Sequence, residues 1–273
     1  MKNMDQLIQT LLEKDSHIKS EQNSNYSLDD IHQLLNYFKK ALFPGTFHHM
    51  ENKDNTNFLQ SVLYRLKFKL IAVIIQSNKT KNTAEKITSQ ILEQLPALKE
   101  ELNNDINAIF NGDPAATSKI EVIIAYPSFE AIMVHRIAHI LIHEGMDLLA
   151  RACSGIAHRE TGIDIHPKAT IGNHFCIDHG TGIVIGETAI IGNNVKIYQG
   201  VTIGALSVSK KQTNTKRHPT IEDNVTIYAK TTILGGETVI GKNSIIGGNV
   251  WITRSVPENS KIMNKGYNIE HSK

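Results

Sequence analysis

The chain has 273 residues, 40% of them hydrophobic and 21% charged, with 29 Lys and Arg against 27 Asp and Glu and a formal net charge of +2. That length suits two modest domains with a real core, and the near-even charge balance excludes a protein built as a whole to grip nucleic acid. No run approaches the roughly 18 apolar residues of a membrane-spanning helix: the strongest, "LIAVII" at 70–75, is bounded by Lys69 and Gln76. The acidic and amide residues of "MKNMDQLIQT" are unlike a secretory signal, so a cytoplasmic location is expected. Cys153 and Cys176 lack C-x-x-C spacing and are expected as reduced thiols.

Residues 1–160 carry helical periodicity punctuated by capping signals. Ser27, three before Asp30, opens a helix over "IHQLLNYF"; Asn82, three before Glu85, is expected to cap the helix carrying "ITSQIL". Pro96 and Pro127 stand at first-turn positions, and "FLQSVLYRLKFKLIAVII" at 58–75 predicts a buried helix. Asp113 followed by Pro114 reads as an N-cap and first-turn pair. This half is expected to be a helical bundle.

From residue 162 the period becomes six. Aliphatics fall at Ile165, Ile171 and Ile177, and after a two-residue insertion at Ile185, Ile191, Ile197 and Ile203. They resume at Ile221, Ile227 and Ile233, slip by one, and continue at Ile240, Ile246 and Ile252. The fifth position of each hexad is mostly small or β-branched (Ala169, Thr181, Ala189, Val195), with Phe175 and Glu237 as exceptions. No helix makes this pattern, and antiparallel hairpins predict period-two alternation instead. It predicts a parallel solenoid of one short strand and one corner per hexad, with first and fifth positions, Thr181 included, filling a narrow core. On that register His174 and Cys176 face outward. The period does not fix the handedness.

The repeat resembles the hexapeptide acyltransferase superfamily. "DIHPKATIG" at 164–172, "IDHGTGIVIGETAIIG" at 177–192, "GVTIGA" at 200–205 and "KRHPTIEDNV" at 216–225 are similar to serine O-acetyltransferases. So, upstream, are "GDPAA" at 112–116 and "FEAIMVHRIAHIL" at 129–141. The resemblance implies an α-helical domain over 1–160, a left-handed parallel β-helix over 161–258 with an extended loop at 205–219, and a tail at 259–273. It implies acetyl transfer from acetyl-CoA to the hydroxyl of L-serine, the first step of cysteine synthesis, with no metal and no acyl-enzyme. It also implies a homotrimer or a dimer of trimers. Relatives dock a sulfhydrylase through a C-terminal isoleucine; this chain ends "GYNIEHSK", with Ile269 internal, so that partner is not expected.

Such a transfer needs a base beside the alcohol, donors for the oxyanion and a groove for coenzyme A. His179, third in its hexad, points out of the core; as a bare residue it is a surface histidine, and the resemblance makes it the base. Asp164, fifteen residues earlier, is either a corner cap or, by resemblance, the carboxylate that orients the His179 ring. The resemblance assigns the substrate ammonium to Asp113 and Asp178, and places Arg217 and His218 near the amino acid across a subunit boundary. Arginine suits a carboxylate because its fork binds both oxygens. Gly204 and Ala205, with Lys210, Lys211 and Lys216 of the polar loop, are the expected contacts to coenzyme A, although a solvated basic loop reads equally well from the residues alone.

Other chemistries use the same residues. His135, His139 and His143 share a helical face and could ligate zinc, but "HEGMD" lacks the second histidine of H-E-x-x-H, and a structural helix is expected. His174, His179 and His218 could mimic the zinc site of a γ-type carbonic anhydrase. Cys176 could carry an acyl group. A sugar acetyltransferase or a non-catalytic scaffold would share the solenoid.

Overall fold

The structure, a computed structural model, describes residues 7–10, 13, 26–47, 55–207 and 215–264. Helices α1 (Leu28–Leu42), α2 (Pro44–Phe47), α3 (Asn55–Gln76), α4 (Lys81–Glu93) and α5 (Leu95–Gly112) are followed by α6 (Lys119–Ala125), α7 (Pro127–His143) and α8 (Asp147–Thr161). The strands begin three residues later: β1 (Asp164–Ile165), β2 (Thr170–Ile171), β3 (Cys176–Asp178), β4 (Val184–Ile185), β5 (Ile190–Ile191), β6 (Lys196–Tyr198) and β7 (Thr202–Gly204). Beyond the loop come β8 (Thr220–Ile221), β9 (Thr226–Ile227), β10 (Thr232–Leu234), β11 (Val239–Ile240), β12 (Ile245–Ile246), β13 (Trp251–Ile252) and β14 (Lys261–Ile262).

The Ser27 hydroxyl accepts from the Asp30 amide at 3.0 Å, as the spacing predicts, and α7 begins at Pro127. Helix α4 departs from expectation. Its cap is Thr80, whose extended backbone already aims the hydroxyl at the Thr83 amide, 3.2 Å away, so Asn82 lies inside the first turn. Asp113 is likewise not an N-cap: it closes the C-terminus of α5, and the next helix is capped by Ser118. Helix α3 buries Val62, Leu66, Leu70, Val73 and Ile74 but exposes Tyr64 and Phe68, so the apolar run is amphipathic rather than wholly buried.

The hexads form a parallel β-helix with three faces. Sheet orders β1-β4-β7-β10-β13, β2-β5-β8-β11 and β3-β6-β9-β12-β14 skip two strands at each step, as a three-sided coil requires, except that β12 to β14 skips only β13. Ile165, Ile185, Ile203, Ile233 and Ile252 stack in one column. Ile171, Ile191, Ile221 and Ile240 make the second; Ile177, Ile197, Ile227, Ile246 and Ile262 the third. Two fifth positions differ from the sequence pattern. The insertion throws Thr181 to the surface and turns Ile183 into the core in its place, and the later slip exposes Glu237 and buries Thr238.

Helices α5 and α7 seal the first coil through one buried ion pair. Arg136 holds Asp105 with both prongs (Nε–Oδ2 2.6 Å, Nη2–Oδ1 3.0 Å) and donates to the carbonyls of Ile171 and Gly172 at 3.3 and 2.8 Å. Asp105 Oδ1 also accepts from the Phe175 amide at 2.9 Å. Burial pushes the Asp105 carboxyl up while the guanidinium pulls it back. Nearby, His139 Nδ1 meets the Pro167 carbonyl at 2.7 Å, and its Nε2 lies 3.2 Å from that of His143. Of the three-histidine face of α7, His139 thus ties the helix to the coil, and among the described residues no group of three or more metal-type side chains converges.

Candidate active site

Where α5 ends, the chain must leave the helix and reach α6, and Asp113 organises that exit. Its amide donates to the Ile109 carbonyl at 3.0 Å, its Oδ1 accepts from the Ala115 amide at 2.8 Å, and its Oδ2 accepts from the Tyr126 hydroxyl at 2.7 Å. The Tyr126 hydroxyl, then the Ala115 amide, and more weakly Lys196 and His179, hold the Asp113 carboxyl below the usual carboxylate range. The same bond pushes the Tyr126 phenol up to about 12.

Opposite stands the end of β3. His179 takes a left-handed backbone, φ 59°, and Gly180 follows at φ 92°. A Cβ at Gly180 would lie 2.5 Å from Ile163 Cδ1, so the tight step between β3 and β4 needs glycine twice over, for its φ and for its space. The turn leaves the His179 ring exposed, with Nε2 3.6 Å from Asp178 Oδ1, while Asp178 itself is mostly covered. Between the two walls lies a cavity of about 270 Å³ lined by Asp113, Tyr126, Cys176, Asp178 and His179 among others. It brings together four of the residues singled out in the sequence, Asp113, Cys176, Asp178 and His179.

Asp164 is in register with Val184, because the insertion lengthens this coil. Gly182 N–Gly162 O (2.8 Å) and Asp164 N–Ile183 O (2.9 Å) lay the segment after His179 on the segment that opens β1. Asp164 and His179 therefore flank one corner. Among the described residues no hydrogen bond or ion pair joins them, and the carboxylate facing the ring is that of Asp178. Cys176 is not on the outer surface as the repeat alone implies: α5 covers it, it is 5% exposed, and burial pushes its thiol up to about 12. His174, at the turn before β3, is half-buried with φ 58°.

Arg217 and His218 lie elsewhere on the coil. His218 is buried; its Nδ1 accepts from the Thr188 amide at 3.0 Å, and Thr188 Oγ1 accepts from the His218 amide at 3.0 Å. Burial first, then Arg217 and Lys216, lower its pKa to about 4, so the ring is neutral. Arg217 pairs with Glu187. Neither residue lines the cavity of His179 within one chain. Lys216 and Arg217, with Leu206, Gly235 and Gly236, edge a second cavity of about 290 Å³, and Gly204 adjoins it through the Gly235 amide at 3.1 Å. Ala205 follows Gly204 at the foot of the loop; Lys210 and Lys211 lie outside the described residues. Sequence reasoning missed Tyr126 and Lys196. Tyr126, directly before the helix-opening Pro127, carried a weak positional signal, and Lys196 carried none beyond its outward hexad position.

The family model "Serine acetyltransferase, N-terminal" matches residues 45–147. A plasmid serine acetyltransferase of Synechococcus elongatus is 47% identical over 184 residues, covering 66% of this chain and 57% of the relative. One from Bacillus licheniformis is 53% identical over 126 residues, 46% of this chain and 56% of the relative. The matched stretch thus spans a little over half the length of these curated relatives. Among solved structures, Entamoeba histolytica serine acetyltransferase isoform 3 in complex with cysteine superposes with a TM-score of 0.79 at 37% identity, covering 92% of this chain and 85% of that one.

Proposed function

The chain belongs to the serine acetyltransferase family, and from that membership we propose that it transfers the acetyl group of acetyl-CoA to the hydroxyl of L-serine, yielding O-acetyl-L-serine and coenzyme A for cysteine synthesis. The observation that carries this reading is the cavity where Asp113, Asp178 and His179 meet. Two carboxylates there suit an ammonium, and the imidazole beside them suits a hydroxyl proton.

In this reading the serine oxygen attacks the thioester carbonyl while His179 takes its proton. The tetrahedral adduct then collapses, expelling the coenzyme A sulfur, which receives the proton from His179. Transfer is direct: Cys176, the thiol lining the cavity, is held protonated by burial. Asp164, flanking the same corner, orients the exposed His179 ring and steadies the imidazolium as it forms. Asp113 and Asp178 hold the substrate ammonium. Arg217 and His218 meet the substrate carboxylate from a second copy of the chain in a homotrimer, a role consistent with neither lining the cavity within one copy. Gly204, Ala205 and Lys216, with Lys210 and Lys211 of the loop, receive coenzyme A. The helical half, residues 1–160, supplies Asp113 and Tyr126 to a site otherwise built on the β-helix, residues 161–258, and the enzyme works in the cytoplasm without a metal.

The test is thiol release from acetyl-CoA followed with and without L-serine. A serine-dependent rate is expected. A rate indifferent to serine, or one that appears only with an amino sugar, would overturn the assignment.

A further inference from the structure

Lys196 belongs to β6, in register with Cys176, and its side chain runs outward beneath the end of α5. Nζ donates to the Gly112 carbonyl at 2.6 Å and lies 3.1 Å from Asp178 Oδ2, with the Tyr198 ring 4.7 Å away. A Cβ at Gly112 would stand 3.1 Å from Cys176 Sγ, a tight contact, and 3.7 Å from Lys196 Nζ, an ordinary one. One ammonium therefore neutralises a carbonyl at a helix C-terminus, where positive charge is favoured, and one oxygen of a cavity carboxylate. Gly112 is bonded directly to Asp113. The bridge thus spans from the residue beside one proposed ammonium-binding carboxylate to the other.

We propose that Lys196 is a positioning residue for the amino-acid pocket: it sets the gap between Asp113 and Asp178 and trims the charge of the pair to suit a single ammonium. It does not line the cavity and acts through those two carboxylates. Asp113 and Asp178 together carry two negative charges, and Lys196 leaves one in excess, matched to one α-amino group. Without it, like charges face each other across the cavity and repel. The lysine itself stays charged. Burial works against its ammonium, but Tyr198 and Asp178 outweigh that and hold its pKa above the ordinary lysine value.

This inference rests on the reading of the cavity as a serine site, and steady-state kinetics on the full chain separate the two. Lys196→Met should raise KM for L-serine about tenfold, keep kcat within about threefold, and leave KM for acetyl-CoA unchanged. Lys196→Arg, which keeps a cation for both acceptors, should bring KM for serine back to within about threefold of the parent value. A lysine that only braces the fold would instead lower the melting temperature and affect both substrates alike. Should Lys196→Met fail to fold, Lys196→Gln keeps a donor for Gly112 without the charge for Asp178 and is expected to show the same rise in KM for serine. An unchanged KM for serine, a parallel rise in KM for acetyl-CoA, or an arginine variant no better than methionine would overturn the inference while leaving the serine reading intact. Absence of serine-dependent thiol release in the parent protein would overturn both.

Discussion

At His179 the left-handed backbone does the work of aiming. With φ 59° the chain turns out of β3 and presents the imidazole at the cavity mouth, beside Asp178 rather than in line with the strand. A histidine carrying the base role should be worth about 10²- to 10⁴-fold in turnover, so His179→Ala should lower kcat by that order with an unchanged circular dichroism spectrum. Cys176→Ser is the counterpart. The thiol lies under α5 with its pKa pushed up to about 12, so the substitution should change turnover by less than about threefold. A loss as deep as that of His179→Ala, measured in the same thiol assay, would restore a covalent route.

The element that matters most is the hexad, and it was almost fully legible because each inward isoleucine repeats the environment of the last. Legibility failed where the repeat was broken or covered. The insertion shows as a break between Ile177 and Ile185 but does not say that Ile183 replaces Thr181 in the core, and the burial of Cys176 under α5 leaves no mark in a six-residue period. Of the candidate site, the family's motifs single out Asp113, Asp178 and His179, which the fold brings to one cavity. Tyr126 and Lys196 were not legible, since their partners lie 13 and 84 residues away in sequence and meet them only in the folded chain. The corners themselves are testable. Gly180→Ala would put a Cβ 2.5 Å from Ile163 Cδ1 at a φ of 92°, and should cost about 1–3 kcal/mol, read as a lower urea midpoint. Acid should also loosen this half. His166 Nδ1 accepts from the Lys168 amide at 3.1 Å and His218 Nδ1 from the Thr188 amide, and both rings have pKa values of about 4, lowered chiefly by burial. Between pH 6.5 and 4 the unfolded chain binds protons that the folded chain refuses, so stability rises with pH across that window and is lost as pH falls. Thermal midpoints should drop from pH 6.5 to 4, and His218→Asn should flatten the slope.

Across the whole molecule, a buried ion pair helps hold the helical half to the solenoid. Arg136→Met would strip Asp105 of its counter-ion while leaving it fully buried, a loss of about 3–5 kcal/mol, visible as a large fall in the denaturant midpoint. Sharing of the site between copies has its own signature. Co-expressed His179→Ala and Arg217→Ala chains should regain activity that neither has alone, because mixed assemblies would contain some intact pairs of walls; no regain would place the whole site within one chain.

The same contacts give the coil a direction. A stack of parallel strands is open at both ends, and each open end is a template on which another copy's strands can add. Here His139, Arg136 and Asp105 occupy backbone groups of residues 167, 171, 172 and 175, so the first coil is blunted by side chains. Head-to-tail addition requires an open first coil to meet an open last one. With its first coil closed in this way, the solenoid blocks repeated head-to-tail strand addition at that end.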